Sequence, residues 1–157
     1  MITIVAIGKM KDRALQSLEA EYKKRISPFQ RVEILELKDE ANLHTDRESE
    51  VRLVKEKEGE RVLEKIRPSD FVVLLDLHGK EWTSEEFADR FRSWQDGGKN
   101  LVFVIAGSLG PSPALRQRAD VCWKLSSLTF THLMTRIILL EQIYRACMII
   151  QGRPYHK

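Results

Sequence analysis

Two stretches constrain this chain most: Phe71–Leu75 and Leu101–Ile105 are each five consecutive apolar residues with no polar position between them. A strand with one face in water alternates, so an uninterrupted run implies cover on both faces, as in a parallel sheet between helices. Three further segments join them. Ile2–Ile7 is rich in β-branched residues and stops at Gly8, and Val121–Leu125 reads as another short strand. Val32–Leu37 interleaves apolar residues with Glu33 and Glu36, which predicts a half-exposed edge strand.

Helical patterns fall between these strands. Leu15, Leu18, Ala20, Tyr22 and Ile26 recur at near-helical spacing and stop at Ser27-Pro28. Asp46 to Arg67 reads as a charged amphipathic helix, with Val51, Val54, Val62, Leu63 and Ile66 as its apolar positions and Pro68 as its stop. Thr83 precedes Glu86 at capping-box spacing, predicting a helix that carries Phe87, Phe91 and Trp94 on one side and ends at Gly97-Gly98. Strand–helix alternation of this kind predicts an α/β domain, with a mainly parallel sheet of about five strands and helices on both faces. At 157 residues, 43% hydrophobic and 31% charged, residues 1–157 are expected to form one such domain.

Other classes are excluded. No apolar stretch reaches the roughly 18–20 residues of a membrane span. The basic residues Lys9, Lys11 and Arg13 follow the first apolar run, the reverse of a secretory signal. Cys122 and Cys147 make no CxxC pair, which favours a reducing, cytoplasmic location.

The net charge of +3 says less than its distribution. From Glu36 to Glu60 nine acids face five bases, and the solvated face of a helix accounts for them. From His132 to Lys157 four bases face Glu141 alone, so this end is better suited to meet an anion. The final helix, roughly Leu133 to Ile150, is apolar around most of its circumference. One sheet face cannot cover such a helix, and a second copy of the chain, in a homodimer, is the expected cover.

Ligands of open α/β sheets bind where strands end, so the loops after strands are the candidate sites. Ala106-Gly107-Ser108-Leu109-Gly110-Pro111-Ser112 follows the run Leu101–Ile105, and its glycines let backbone N–H groups approach a ligand. Neither GxGxxG nor a Walker A pattern is present. Ala106-x-Ser108-x-Gly110 approaches a nucleophile elbow, and Ser108, Asp120 and His132 or His156 could supply a serine hydrolase triad, but Pro111 and Pro113 delay the helix an elbow requires. Leu75 to Lys80 is a second expected loop, where Asp76 and His78 lack a third ligand for a metal. Ser126 to His132 is a third, with hydroxyls able to cap the final helix. The tail Gly152-Arg153-Pro154-Tyr155-His156-Lys157 combines cations for phosphates, an aromatic ring for stacking and an imidazole for proton exchange. A frayed terminus is the plain alternative.

These segments also carry a family resemblance. Ile7-Gly8-Lys9, Leu75 to Lys80, Phe103-Val104-Ile105-Ala106-Gly107-Ser108-Leu109-Gly110, Leu125 to His132, and Glu141 to Ala146 closing on Pro154-Tyr155-His156-Lys157 are spread over the whole chain. Together they resemble the ribosomal RNA large subunit methyltransferase H family, small SPOUT-class enzymes that methylate N3 of a pseudouridine in 23S rRNA. The resemblance implies a minimal SPOUT fold with a C-terminal trefoil knot, working as a cytoplasmic homodimer on 23S rRNA in the large subunit or 70S ribosome. It implies S-adenosylmethionine as methyl donor, without metal. By the same resemblance Leu75, Ala106, Gly107, Gly110, Leu125, Ser126, Ser127, Leu128, Thr129 and Phe130 would hold that donor. Arg145, Tyr155 and His156 would form the catalytic surface, with His156 or Tyr155 assisting deprotonation, and Lys9, Arg136, Arg153 and Lys157 would meet RNA. The chain departs from the family pattern at Ala106, where a second glycine is usual; a methyl is tolerated there if φ is negative. The non-enzymatic alternative is a flavodoxin-like or other nucleotide-binding module using the same strand-end loops.

Overall fold

The computed structural model describes residues 1–41 and 47–157. Five strands, β1 (Ile2–Ile7), β2 (Val32–Leu37), β3 (Phe71–Glu81), β4 (Leu101–Ile105) and β5 (Val121–Lys124), form one all-parallel sheet in the order β2-β1-β4-β3-β5. Five helices connect or follow them: α1 (Arg13–Ile26), α2 (Glu48–Leu63), α3 (Ser84–Asp96), α4 (Pro113–Arg118) and α5 (His132–Ile150).

The period of two along each strand sends alternate residues to two cores. Ile4, Val73, Leu75, Phe103 and Ile105 pack on one face with Ile26 of α1, Phe87 and Phe91 of α3 and Leu139, Leu140 and Ile143 of α5. Val5, Ile7, Val72, Leu74, Val102 and Val104 pack on the other with Val62 of α2 and Leu115 of α4. All five residues of β4 are buried, as an uninterrupted apolar run requires. β2 lies at an edge with Glu33 and Glu36 exposed. In this order β4 sits between β1 and β3, which differs from the flavodoxin-like order 2-1-3-4-5.

Local signals explain the helix ends. Thr83 accepts the N–H of Glu86, and Ser112 caps α4 by accepting from Leu115 with Pro113 next to it. α5 ends in a Schellman arrangement: Gly152 has φ +65°, and the N–H groups of Gly152 and Arg153 donate to the carbonyls of Ile149 and Met148.

Three expectations need correction. The charged helix stops at Leu63 rather than Arg67, because Lys65 and Ile66 tighten into turns on Val62 and Leu63 ahead of Pro68; its expected start at Asp46 lies outside the described residues. Its acidic surplus is also not all solvated, since Glu58 is only 6% exposed. Leu75 to Lys80 is no loop but part of β3, whose register against β5 shifts so that both Leu75 and Lys80 pair with Trp123. Gly79 permits this shift, because a Cβ there would stand 2.5 Å from the backbone of Cys122.

Candidate functional site

A cavity of about 270 Å³ opens at the carboxyl end of the sheet, near the lower end of ordinary small-molecule sites. Its walls come from the middle of β3, the segment after β4, the segment after β5 and the start of α5. Leu75, Ala106, Gly107, Gly110, Leu125, Ser126, Leu128, Thr129 and Phe130 all line it. Ser127 does not, and its hydroxyl donates instead to the Glu81 carboxylate at 3.2 Å.

The loop after β4 is built by backbone constraints of two kinds. At Gly107 the constraint is space, since a Cβ would stand 2.7 Å from Glu58 Oε1. At Gly110 it is conformation: φ is +90°, and its N–H closes a turn on the Gly107 carbonyl at 3.0 Å. Ala106 meets the condition set by its methyl, since among the described residues only glycines have positive φ. No helix begins at Ser108; the next starts at Pro113. Asp120 is committed to the Val72 N–H at 2.8 Å and to Arg118, so the nucleophile-elbow arrangement is absent.

Lys55, Arg116 and Thr135, which no motif in the sequence marks, also line the cavity, together with Asp76 and His132. Asp76 is buried and accepts two hydrogen bonds from Arg116, at 2.8 and 3.3 Å, and one from the His78 N–H. Burial alone would raise its carboxyl, but the Arg116 guanidinium and the His78 N–H outweigh burial and hold it below the usual range. Asp76 and His78 therefore brace the β3 irregularity through Arg116 rather than forming a ligand pair. Among the described residues no group of three or more His, Cys, Asp or Glu side chains could hold a metal ion. Lys55 was legible only indirectly, through Gly59: a glycine inside a helix marks close approach, and α2 does meet the loop there.

The tail is not frayed. Tyr155 donates to Glu141 Oε1 at 3.1 Å, packs edge-on against Tyr144 and lies under the Arg145 guanidinium. Arg145 also pairs with Glu141 and donates to His156 Nδ1 at 3.0 Å, while His156 Nε2 is 2.6 Å from Glu85 Oε1 at the start of α3. A guanidinium can only donate, so Nδ1 accepts and Nε2–H points to Glu85. Burial first, and then the nearby Glu141 charge, push the Tyr155 phenol up to about 12. None of Arg145, Tyr155 and His156 lines the cavity of its own chain.

Of the four cations expected to meet RNA, Lys9, Arg153 and Lys157 are exposed. Arg136 is not. It is 1% exposed, with Nη1 on Glu36 at 2.6 Å and Glu19 at 3.2 Å and Nη2 on the Gly8 carbonyl at 3.2 Å. It joins α5 to Glu19 of α1 and to the ends of β1 and β2 because its position faces inward on that helix; with apolar residues around most of α5, no periodicity in the sequence marks that side.

Comparison with known proteins agrees with this architecture. The family described as predicted SPOUT methyltransferase matches residues 1–156. A protein of Carboxydothermus hydrogenoformans named ribosomal RNA large subunit methyltransferase H is 49% identical over 158 residues, 99% of each chain. Proteins of the same name from Latilactobacillus sakei and Bacillus pumilus are each 44% identical over 157 residues, again 99% of each chain. With its parallel sheet, its strand-end cavity and a family match over nearly its whole length, the chain belongs to the SPOUT methyltransferase family.

Proposed function

We propose that this chain is an S-adenosylmethionine-dependent methyltransferase that methylates N3 of a pseudouridine in 23S rRNA, within large subunits or 70S ribosomes. It acts as a cytoplasmic homodimer of single SPOUT domains, each spanning residues 1–157 with the C-terminal portion threaded as in the family. The observation that carries this reading is the cavity at the carboxyl end of the sheet, floored by the segment 106–110 and walled by 125–130 except Ser127. Relatives of matching length bear the large-subunit methyltransferase name. Among the described residues no helix is long and apolar enough to cross a membrane.

The residues present fit the methyl donor. Gly107 and Gly110 keep side chains away from the loop's backbone, Leu75, Ile105 and Leu125 offer apolar walls, and Ser126 and Thr129 add hydroxyls. When bound, the donor supplies a methyl group already activated on a sulfonium. The protein then has two tasks: holding the acceptor nitrogen in line, and helping its proton leave. An imide nitrogen is a poor nucleophile while protonated. Tyr155, with its phenol raised to about 12, stays protonated near neutral pH and serves as a hydrogen-bond donor rather than a base. His156 is the tail's proton acceptor. Its Nδ1 lone pair is occupied by Arg145, so Arg145 must swing toward the RNA, to a base carbonyl or phosphate, before Nδ1 can take the proton.

The tail does not line its own chain's cavity, and in the proposed dimer the partner's tail completes the active site. The exposed Leu128 and Met134, close to the cavity and at the start of α5, are apolar surface that a second copy would cover. Lys9, Arg153 and Lys157 supply phosphate contacts. The test is a labelled methyl-transfer assay on free rRNA, large subunits and whole ribosomes, with mass mapping of the product. One N3-methylated pseudouridine in large-subunit rRNA is expected; label elsewhere, or none, would remove this reading.

A further inference from the structure

α2 does more than present charge to solvent. Glu58 is 6% exposed, and its Oε2 accepts the Glu40 N–H at 3.0 Å, in the connection between β2 and α2. Its Oε1 lies 2.7 Å from where a Cβ on Gly107 would stand. One residue on, a Cβ on Gly59 would stand 2.4 Å from Ser112 Oγ, the cap of α4. The pair Glu58-Gly59 therefore lies beneath both ends of the loop 106–112. Arg61 of the same helix pairs with Glu40 and donates to the Lys38 carbonyl at 2.8 Å, and Lys55, one turn before Glu58, lines the cavity wall. One face of α2 thus anchors residues 38–40, just after β2, and supports the cavity floor.

A carboxyl group at this depth is costly, and burial pushes it above the usual range while the Glu40 N–H opposes that rise. An apolar side chain would fill the space without that cost. It would also strand the Glu40 N–H, so what Glu58 adds is an acceptor of the right size beneath Gly107.

We infer that Glu58 is a positioning residue for methyl-donor binding: wedged beneath Gly107 and tied to Glu40, it sets the height of the loop backbone that floors the cavity. This rests on the reading of that cavity as the donor site. A glutamine can accept the same N–H and fill the same space, whereas an alanine can do neither.

The test is calorimetric titration of S-adenosylmethionine into the full chain, with thermal melts of the ligand-free protein alongside. Glu58→Gln is expected to bind within about threefold of the wild type, and Glu58→Ala about tenfold or more weaker, as for a lost buried hydrogen bond. Gly107→Ala is expected to weaken binding about tenfold or more. Adding Glu58→Ala to Gly107→Ala should cost nothing further, because the new methyl then has room. Wild-type affinity in Glu58→Ala, equal losses in the alanine and glutamine variants, or additive losses in the double variant would overturn the inference. Should Glu58→Ala lose its cooperative melt, Gly107→Ala decides alone, and wild-type affinity there overturns it. A wild-type chain that takes up no S-adenosylmethionine would overturn the cavity reading and this inference with it; uptake undiminished by Glu58→Ala overturns only the inference.

Discussion

The loop 106–112 and the tail 152–157 each follow a regular element at the carboxyl end of β4 or α5, yet they are held in opposite ways. The loop is fixed through its backbone, by a positive φ at Gly110, by the absence of room beside Gly107 and by the helix beneath it. The tail is fixed through side chains, in a network running from Glu141 through Arg145 to His156 and Glu85. A backbone-built site tolerates most changes except an added Cβ where none fits. A side-chain network can be dismantled one group at a time and can exchange a protein partner for an RNA one. Under the proposed function, the difference suits a rigid donor site and an adjustable acceptor site.

Removing the tail should separate the two most sharply. A chain ending at Gly152 is expected to lose methyl transfer to ribosomes by roughly 100-fold or more, the scale of a lost proton-transfer group, while binding S-adenosylmethionine normally by calorimetry. Weakened donor binding in that chain would mean the tail belongs to the cavity after all.

Two arginines of α5 sharpen the contrast. Arg136→Met removes a buried guanidinium from two carboxylates and should cost about 3 kcal/mol in denaturant unfolding. Arg145→Ala, at a partly exposed position, should change unfolding little and lower methyl transfer about tenfold or more. If Arg136→Met leaves stability intact but reduces RNA affinity, the structural assignment of Arg136 is wrong.

Asp76 supplies a pH test of the cavity wall. Its carboxyl is held below the ordinary value of 3.8, so its contribution to stability is fully present above that value and is lost as pH falls through the lower folded one. Asp76→Asn should cost about 1–2 kcal/mol near neutral pH and flatten the stability profile on the acid side, read by thermal melts across pH. An unchanged acid limb would mean that Arg116 and Asp76 do not pair in solution. The smallest effect belongs to Tyr155→Phe. It deletes one hydrogen bond to Glu141 and keeps the ring beneath Arg145, so methyl transfer should fall only about two- to fivefold.

The layered sheet was legible because β3 and β4 carry uninterrupted apolar runs that only double cover explains. The strand order was not, since the insertion of β4 between β1 and β3 leaves no local signal in either run. Gly107 and Gly110 could be picked out as a strand-end loop, and they do line the cavity, but why glycine is needed at Gly107 depends on Glu58, 49 positions away. Charge counting placed Arg136 with the basic tail because composition is blind to which side of a helix faces in. The extension of β3 past Leu75 escaped because Asp76, His78 and Lys80 are polar, and what keeps them in the sheet is Trp123 and Lys124 of β5 and the brace of Arg116.

The central claim is that a donor site from one chain and a tail from another make one active site. Complementation tests it most directly: a chain ending at Gly152 is mixed with a full chain carrying Gly107→Ala, at a methyl-donor concentration low enough that each is nearly inactive alone, and labelled methyl transfer to ribosomes is measured. The account predicts that the mixture regains activity, from mixed dimers that pair an intact cavity with an intact tail. A mixture as inactive as its components, with exchange of subunits verified by mass, would contradict it.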